Sequence, residues 1–367
     1  VAYAVTEPFA GSDVINIKTK ADPVTGDDGE IIGYKINGAK QFISTGAAAE
    51  FITLLARTPE GLSFFVIEKG TEGFTPVRSE EKHGIRASQT SSLSFTDVFV
   101  PIENLIGGEP GKGLKQANEV FGFTRLMVAS MGLGGGEAAL DIAIPYAKER
   151  FVSGSLLSEK QGYTHKLIVS NVVKLAAAEA FIEETAERLD AGEADLQVEG
   201  SIAKYFATEA ANKTAEDAMQ ALGGYGYINE FEVEKVKRDV KITCIYEGAS
   251  EVQQNIISTF RWRTCVKSKG AFYGALAQEM ADLESAFPNA GCAMYGIAAT
   301  ALNEAVMLVH RNKLTRQQYV LYALADMIAH VEVGSALARK AASAAKNGET
   351  SPETYRLAST IFVHSVA

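Results

Sequence analysis

Four short segments of this chain carry residue types that can do chemistry. Arg238-Asp239-Val240-Lys241 leads to Ile245-Tyr246-Glu247-Gly248, and Glu247 stands just ahead of Ser250-Glu251-Val252-Gln253, a capping-box pattern that opens a helix. A carboxylate outside a helix N-terminus is favoured as the anion, the form a general base needs. A plain surface glutamate would read the same way. Val5-Thr6-Glu7-Pro8-Phe9-Ala10-Gly11-Ser12-Asp13 is a strand running into a Gly/Ser turn that can offer N–H and hydroxyl groups to a phosphate or ring carbonyl. Gly38-Ala39-Lys40-Gln41-Phe42-Ile43-Ser44-Thr45-Gly46 joins an aromatic to two hydroxyls, or is strand core plus a turn. Gln220-Ala221-Leu222-Gly223-Gly224-Tyr225-Gly226-Tyr227 ends a helix on two glycines, where a backbone can approach a ligand closely.

Other chemistries fail on spacing. The phosphate-loop pattern breaks at Ile106 and Gly113, so Gly107 to Gly113 reads as a connector. Gly132-Leu133-Gly134-Gly135-Gly136 lies inside a helical stretch rather than after a strand, so close helix packing explains it better than a dinucleotide fingerprint. Glu80 and His83 form a single E-x-x-H in the β-rich part, read as a charged surface turn, and no metal site is expected. No nucleophile elbow of the G-x-S-x-G type occurs.

The elements that must position these segments change character along the chain. Up to about Asn104 the pattern is strands and turns, with Phe64–Ile67 as an apolar run and Ser92–Val100 alternating up to Pro101. Beyond the connector the period becomes helical: 128–151, 165–191 and 199–222 carry apolar residues at helical spacing, with Gly192 and Gly223 in C-cap positions. A second helical region starts near Arg263, with amphipathic stretches at 294–309 and 317–345. With 367 residues and a charge of −10, the chain can bury a large core and is unsuited to nucleic acid or anionic membrane. No apolar run is expected to span a membrane, and Cys244, Cys265 and Cys292 are too dispersed for a disulfide scaffold, which favours reduced thiols.

In this order and spacing the four segments resemble the acyl-CoA dehydrogenase family, continuously from Val1 to about Phe260. The resemblance implies an α+β fold: a middle β-barrel-like domain over 1–106, a four-helix bundle over 107–262 and an extra helical domain over 263–367. That last part resembles the very-long-chain members through 311–313 and 323–326. The family's N-terminal helical domain has no counterpart, and the chain is expected to lack it. FAD is the implied cofactor. Tyr3, Val5, Thr6, Gly11 and Ser12 would line its ring and pyrophosphate, Ser12 also touching acyl-CoA. Phe42, Ile43 and Ser44 would back the flavin. Arg150, Gln161, Gln220, Gly223 and Gly224 would reach a neighbouring subunit's FAD, and Ala249 and Glu251 would touch FAD as well. Gly122, Thr124, Arg125 and Gly248 would contact acyl-CoA, and Glu247 would be the catalytic base.

The implied reaction is α,β-dehydrogenation of a fatty acyl-CoA to the trans-2-enoyl-CoA. Glu247 would take the α-proton and the β-hydride would pass to flavin N5, as a step of fatty acid β-oxidation. An electron-transfer flavoprotein would accept the electrons. A homo-oligomer is implied, a dimer before a tetramer, in the bacterial cytoplasm or a mitochondrial matrix, with membrane contact at most peripheral. Departures from the family pattern are Gly122 for Asp, Ser153 for an aromatic, Ala249 for Thr and Gln254 for Arg. Some relatives place the base at the position of Thr124, which cannot serve as one. The alternatives are a relative with changed chemistry (oxidase, decarboxylating dehydrogenase or desulfinase) and a non-catalytic flavin-binding subunit.

Overall fold

The turn signals separate the first third of the chain into seven strands, as the computed structural model shows for a protein described over residues 1–347 and 352–365. These are β1 (Ala2–Ala4), β2 (Lys20–Thr25), β3 (Ile31–Ser44), β4 (Phe51–Thr58), β5 (Gly61–Glu68), β6 (Phe74–Ser79) and β7 (Thr90–Pro101). They form one mixed sheet in the order β1-β4-β2-β3-β7-β6, with β5 also paired to β4. Gly29, at φ 81°, makes the tight turn between β2 and β3, where the backbone of Gly26 bonds to Glu30. Two register shifts in the β3–β7 pair, at Ile36/Gly38 and Lys40/Ile43, bend the longest strand. Gly38 is required at the first, because a Cβ there would sit 2.4 Å from Thr19 Oγ1. One face buries Ile36, Ile43, Leu54, Phe65, Leu93 and Phe95.

The chain divides into two compact units, 1–120 and 121–367. Helix α1 (Gly113–Glu149) starts well before the periodicity at 128 suggested. After a two-strand hairpin, β8 (Phe151–Val152) and β9 (Ser155–Leu156), the regular elements of the second unit among its described residues are helices. It contains α2 (Gln161–Thr164), α3 (Ser170–Asp190), α4 (Gln197–Leu222), α5 (Val233–Val240) and α6 (Ser250–Lys267). It continues with α7 (Ala271–Ala286), α8 (Cys292–Arg311), α9 (Gln318–Asn347) and α10 (Pro352–Val363). Residues 348–351 and 366–367 of the expected last domain lie outside the described residues.

The glycine-rich stretch of α1 is a packing device. A Cβ on Gly132 would come within 3.0 Å of Thr208 on α4, and one on Gly136 within 3.1 Å of Ala211, while one on Gly134 would meet nothing. Gly192 closes α3 at φ 80°, its N–H bonding Leu189 while Glu193 bonds Arg188. One contiguous core runs from Leu126 through Ile257 and Leu302 to Phe362. Within it Arg261 makes a bidentate pair with Glu332 at 2.8 Å and a third bond to Glu199 at 2.9 Å, and the buried Tyr273 hydroxyl donates to Glu332 at 2.8 Å. This ties α6 to α9, α4 and α7.

Two expectations are corrected. Helices α1, α8 and α9 are each long and apolar enough, by length and composition, to cross a membrane. The sequence reading let scattered charges disqualify runs that helical geometry segregates to one face; 67% of the apolar stretch of α9 is buried within its unit. The stretch from Glu80 to His83 leads into bends and turns as read, with His83 exposed, but the Glu80 carboxylate itself is largely covered, accepting bonds from Ser92 at 2.7 Å and Arg78 at 2.9 Å. All three cysteines are buried and free.

Candidate active site

Glu247 lies in the short connection between the 3₁₀ turn at Lys241–Cys244 and α6. Its backbone is left-handed at φ 55° and Gly248 follows at φ 89°. For a side-chain-bearing residue that conformation costs about 1–2 kcal/mol, so the surroundings must enforce it. The Thr124 hydroxyl on α1 donates to Glu247 Oε2 at 2.9 Å. Arg125, one residue on, is buried and bonds Ser201 Oγ at 3.2 Å; burial depresses its guanidinium, and the nearby Glu247 charge counteracts that. Beneath the turn, Lys204 Nζ donates to the Gly248 carbonyl at 2.8 Å. The Gln253 amide donates to the carbonyls of Glu247 at 3.2 Å and Gly248 at 3.0 Å. Burial brings the Lys204 ammonium down to about 8.

The expected capping box at Ser250 does not form. Ala249 is the N-cap; the Ser250 hydroxyl turns to Glu209 and the Cys244 carbonyl, and Gln253 reaches back to carbonyls rather than to the cap N–H. Glu209 and the Cys244 carbonyl compete for Ser250, and the strained turn for Gln253, and both win over the cap. Glu251 is exposed in the first turn of α6.

In the first unit, two of the segments read from sequence meet. The Gln41 N–H donates to the Thr6 carbonyl at 2.9 Å, and Lys40 Nζ donates to the Val5 carbonyl at 2.8 Å and to Glu7 Oε1 at 2.9 Å. Glu7 also accepts the backbone N–H groups of Lys18 at 2.6 Å and Thr19 at 3.0 Å. Both side chains of the Glu7–Lys40 pair are buried, and burial holds Lys40 down to about 8. Burial alone would raise Glu7, but Lys40, Thr19 and Lys18 bring it below the usual carboxylate range. Phe42 is exposed at φ 59°, and Ser44 is exposed beside it. Val5 and Ile43 point into the core, so any ligand contact they make is through backbone. Tyr3 stacks on Phe64, Thr6 is half-buried, and Gly11 and Ser12 are exposed.

A third feature gathers residues from three places in the second unit. Arg150, Gln220, Gly223 and Gly224 line one open cavity of about 490 Å³ together with Tyr146, Tyr163 and Tyr225. A Cβ at Gly223 or Gly224 would meet no atom within 4 Å, and Gly223 is left-handed at φ 61°, so bare backbone faces the space. A guanidinium, an amide and exposed backbone suit an anionic, hydrogen-bonding ligand such as a nucleotide diphosphate. Gln161 is exposed on α2 and is not among the lining residues.

Residues 2–98 match the middle domain of acyl-CoA dehydrogenases, and residues 111–260 match their C-terminal domain. The chain belongs to the acyl-CoA dehydrogenase family. It is 39% identical over 264 residues to an acyl-CoA dehydrogenase of Bacillus subtilis, covering 71% of this chain and 67% of that protein. The solved butyryl-CoA dehydrogenase of Megasphaera elsdenii superposes with a TM-score of 0.65 at 39% identity, covering 70% of this chain and 67% of that one. An acyl-CoA dehydrogenase of Bacillus anthracis, solved with FAD, covers 100% of this chain and 66% of its own length at a TM-score of 0.86 and 25% identity. The chain therefore spans about two thirds of the length of these dehydrogenases.

Set beside the family expectations, the first unit holds Tyr3 to Ser12 and Phe42 to Ser44, and the second holds Glu247 with Thr124, Arg125 and Gly248. Gly122 is half-buried, and its carbonyl lies 3.0 Å from where a Cβ on Gly200 would be. Sequence reasoning missed Glu7, Lys40, Lys204 and Gln253. The signal for Lys40 was its place among inward-facing positions of β3. Lys204 carried a similar one, sitting inside an otherwise apolar stretch of α4.

Proposed function

We propose that this chain is the FAD-binding, catalytic part of an acyl-CoA dehydrogenase that converts an acyl-CoA thioester to its trans-2-enoyl-CoA. The observation that carries the reading is Glu247: a family carboxylate in a strained, doubly braced turn, hydrogen-bonded by Thr124. A thioester α-proton is weakly acidic, so a fixed carboxylate must take it while donors hold the carbonyl oxygen. Thr124 limits the rotation of the carboxylate, and the buried Arg125 offers a nearby positive charge. Thr6 and Phe42, whose segments are joined by the Gln41–Thr6 bond, would hold the flavin, and Arg150, Gln220, Gly223 and Gly224 would hold the nucleotide portion of a neighbouring subunit's FAD. Bound FAD supplies the acceptor for the two electrons and the β-hydrogen.

An electron-transfer flavoprotein is the proposed electron acceptor, and a homodimer the proposed assembly. The test is an anaerobic titration with short-, medium- and long-chain acyl-CoAs, following flavin absorbance. Bleaching by one class in the wild type, lost in Glu247→Gln with FAD retained, is the expected result. Normal bleaching in Glu247→Gln would overturn Glu247 as the base, and no bleaching of an FAD-loaded wild type would overturn the dehydrogenase reading.

A further inference from the structure

Two buried polar side chains beneath the Glu247 turn have no part in the proton transfer itself. We propose that Lys204 and Gln253 are positioning residues for Glu247: by bonding the carbonyl oxygens of Glu247 and Gly248 they lock the turn in the one backbone conformation that presents the carboxylate. The inference rests on the dehydrogenase reading above.

Lys204 is wholly buried on α4, and among the described residues it enters no ion pair. Among the described residues its side-chain hydrogen bond runs to the Gly248 carbonyl, at 2.8 Å. A buried ammonium in no direct ion pair, with the carboxylates of Glu209 and Glu247 acting on it only from farther away, is unfavourable unless its hydrogen bond does something a neutral side chain could not. Gln253 is equally buried on the first turn of α6, and it uses only the donor end of its amide. Its Oε1 is buried with no hydrogen-bond partner. That is the signature of a residue retained for its N–H groups rather than for general polarity. The Gln253 amide nitrogen also stands 2.2 Å from where a Cβ on Gly248 would be, so Gln253 can sit here only because position 248 is glycine.

Together the two side chains fix the turn to α4 and α6 at once, while Thr124 on α1 holds the carboxylate end. Glu247 is thus gripped at its main chain and at its tip. A left-handed glutamate does not stay so unaided. Without its braces the turn would relax, and the carboxylate would swing away from Thr124.

The experiment uses the full chain loaded with FAD and the near-isosteric variants Lys204→Met and Gln253→Met. In each, the limiting rate of flavin reduction by the acyl-CoA that reduces the wild type is expected to fall by about 10²-fold, the effect of a roughly 1 Å misplacement. FAD content and acyl-CoA affinity are expected to hold. Backbone deuterium uptake over 245–249 should speed up while the rest of the chain is unchanged. Wild-type limiting rates, or a rate loss that merely tracks lost FAD and lost protection throughout the second unit, would overturn the proposal. If no acyl-CoA reduces the wild type, the dehydrogenase reading fails by itself. Deuterium uptake over 245–249 then still decides whether these side chains hold the turn, and uptake identical to wild type overturns it.

Discussion

Lys40→Met would expose how much the first unit depends on one buried ion pair. The substitution keeps side-chain volume and removes only the ammonium, whose Nζ bonds the Val5 carbonyl at 2.8 Å and Glu7 at 2.9 Å. Glu7 would retain the N–H groups of Lys18 and Thr19 but would be a buried carboxylate without a cation. Breaking a buried pair from one side costs about 3–5 kcal/mol, because the desolvation of the remaining charge is no longer offset. Hydrogen exchange of β3 and β7 amides, read peptide by peptide, isolates this unit from the helical one. At about 1.4 kcal/mol per decade, amides that exchange through opening of the sheet should speed up by about 10²- to 10⁴-fold. Adding Glu7→Gln removes the stranded charge while keeping an acceptor for Thr19, so the double variant should recover at least about 1 kcal/mol. A less than tenfold change in Lys40→Met, or a double variant no better than the single, would refute the reasoning.

Other outcomes follow from the same geometry. Lys204 titrates near 8 in the fold against 10.5 unfolded, so the unfolded state binds the extra proton between those values; the stability it contributes is complete above about 10.5 and is lost as pH falls through about 8. Urea midpoints of wild type minus Lys204→Met should therefore increase from pH 8 to 9.5, and a flat difference would contradict it. Gly132→Val should lose about 1–3 kcal/mol against Thr208, whereas Gly134→Ala, which meets nothing, should gain about 0.5–1 kcal/mol, both read from thermal unfolding. Arg150→Ala should release FAD on dilution while the FAD-free protein unfolds at the wild-type temperature, because Arg150 is exposed on the cavity wall.

The change from period two to period 3.6 was plain in the sequence, because strands and helices with one buried face write their periodicity directly. The glycines at 132–136 were also legible: a helix tolerates such a run only where backbones must approach, and Thr208 and Ala211 are what they approach. Glu247 was found, yet its surroundings were not. Lys204, Gln253 and Thr124 lie 43, 6 and 123 positions from it, and no local pattern announces a side chain that folds back on a distant carbonyl. Ser250 misled for a related reason, since a capping motif is decided by competition with tertiary partners, here Glu209 and the Cys244 carbonyl. The start of α1 was missed because the residues from Gly113 to Met127 mix polar and apolar types without a clean stripe. The open cavity around Gly223 needed three separated stretches to converge, which spacing alone does not reveal.

The Arg261 cluster has a consequence for how this chain can diverge. Its four members come from four different helices, and each satisfies another inside the core. Replacing Arg261 leaves buried carboxylates without their cation and replacing Glu332 removes the bidentate partner of Arg261, so either first step passes through a much weakened intermediate even where an all-apolar set would pack as well. Positions 261 and 332 should therefore change together or not at all, with 199 and 273 coupled to them more weakly. Descendants of this sequence would inherit the cluster as a block, and pairwise swaps there should show strong epistasis while the nearby surface drifts freely.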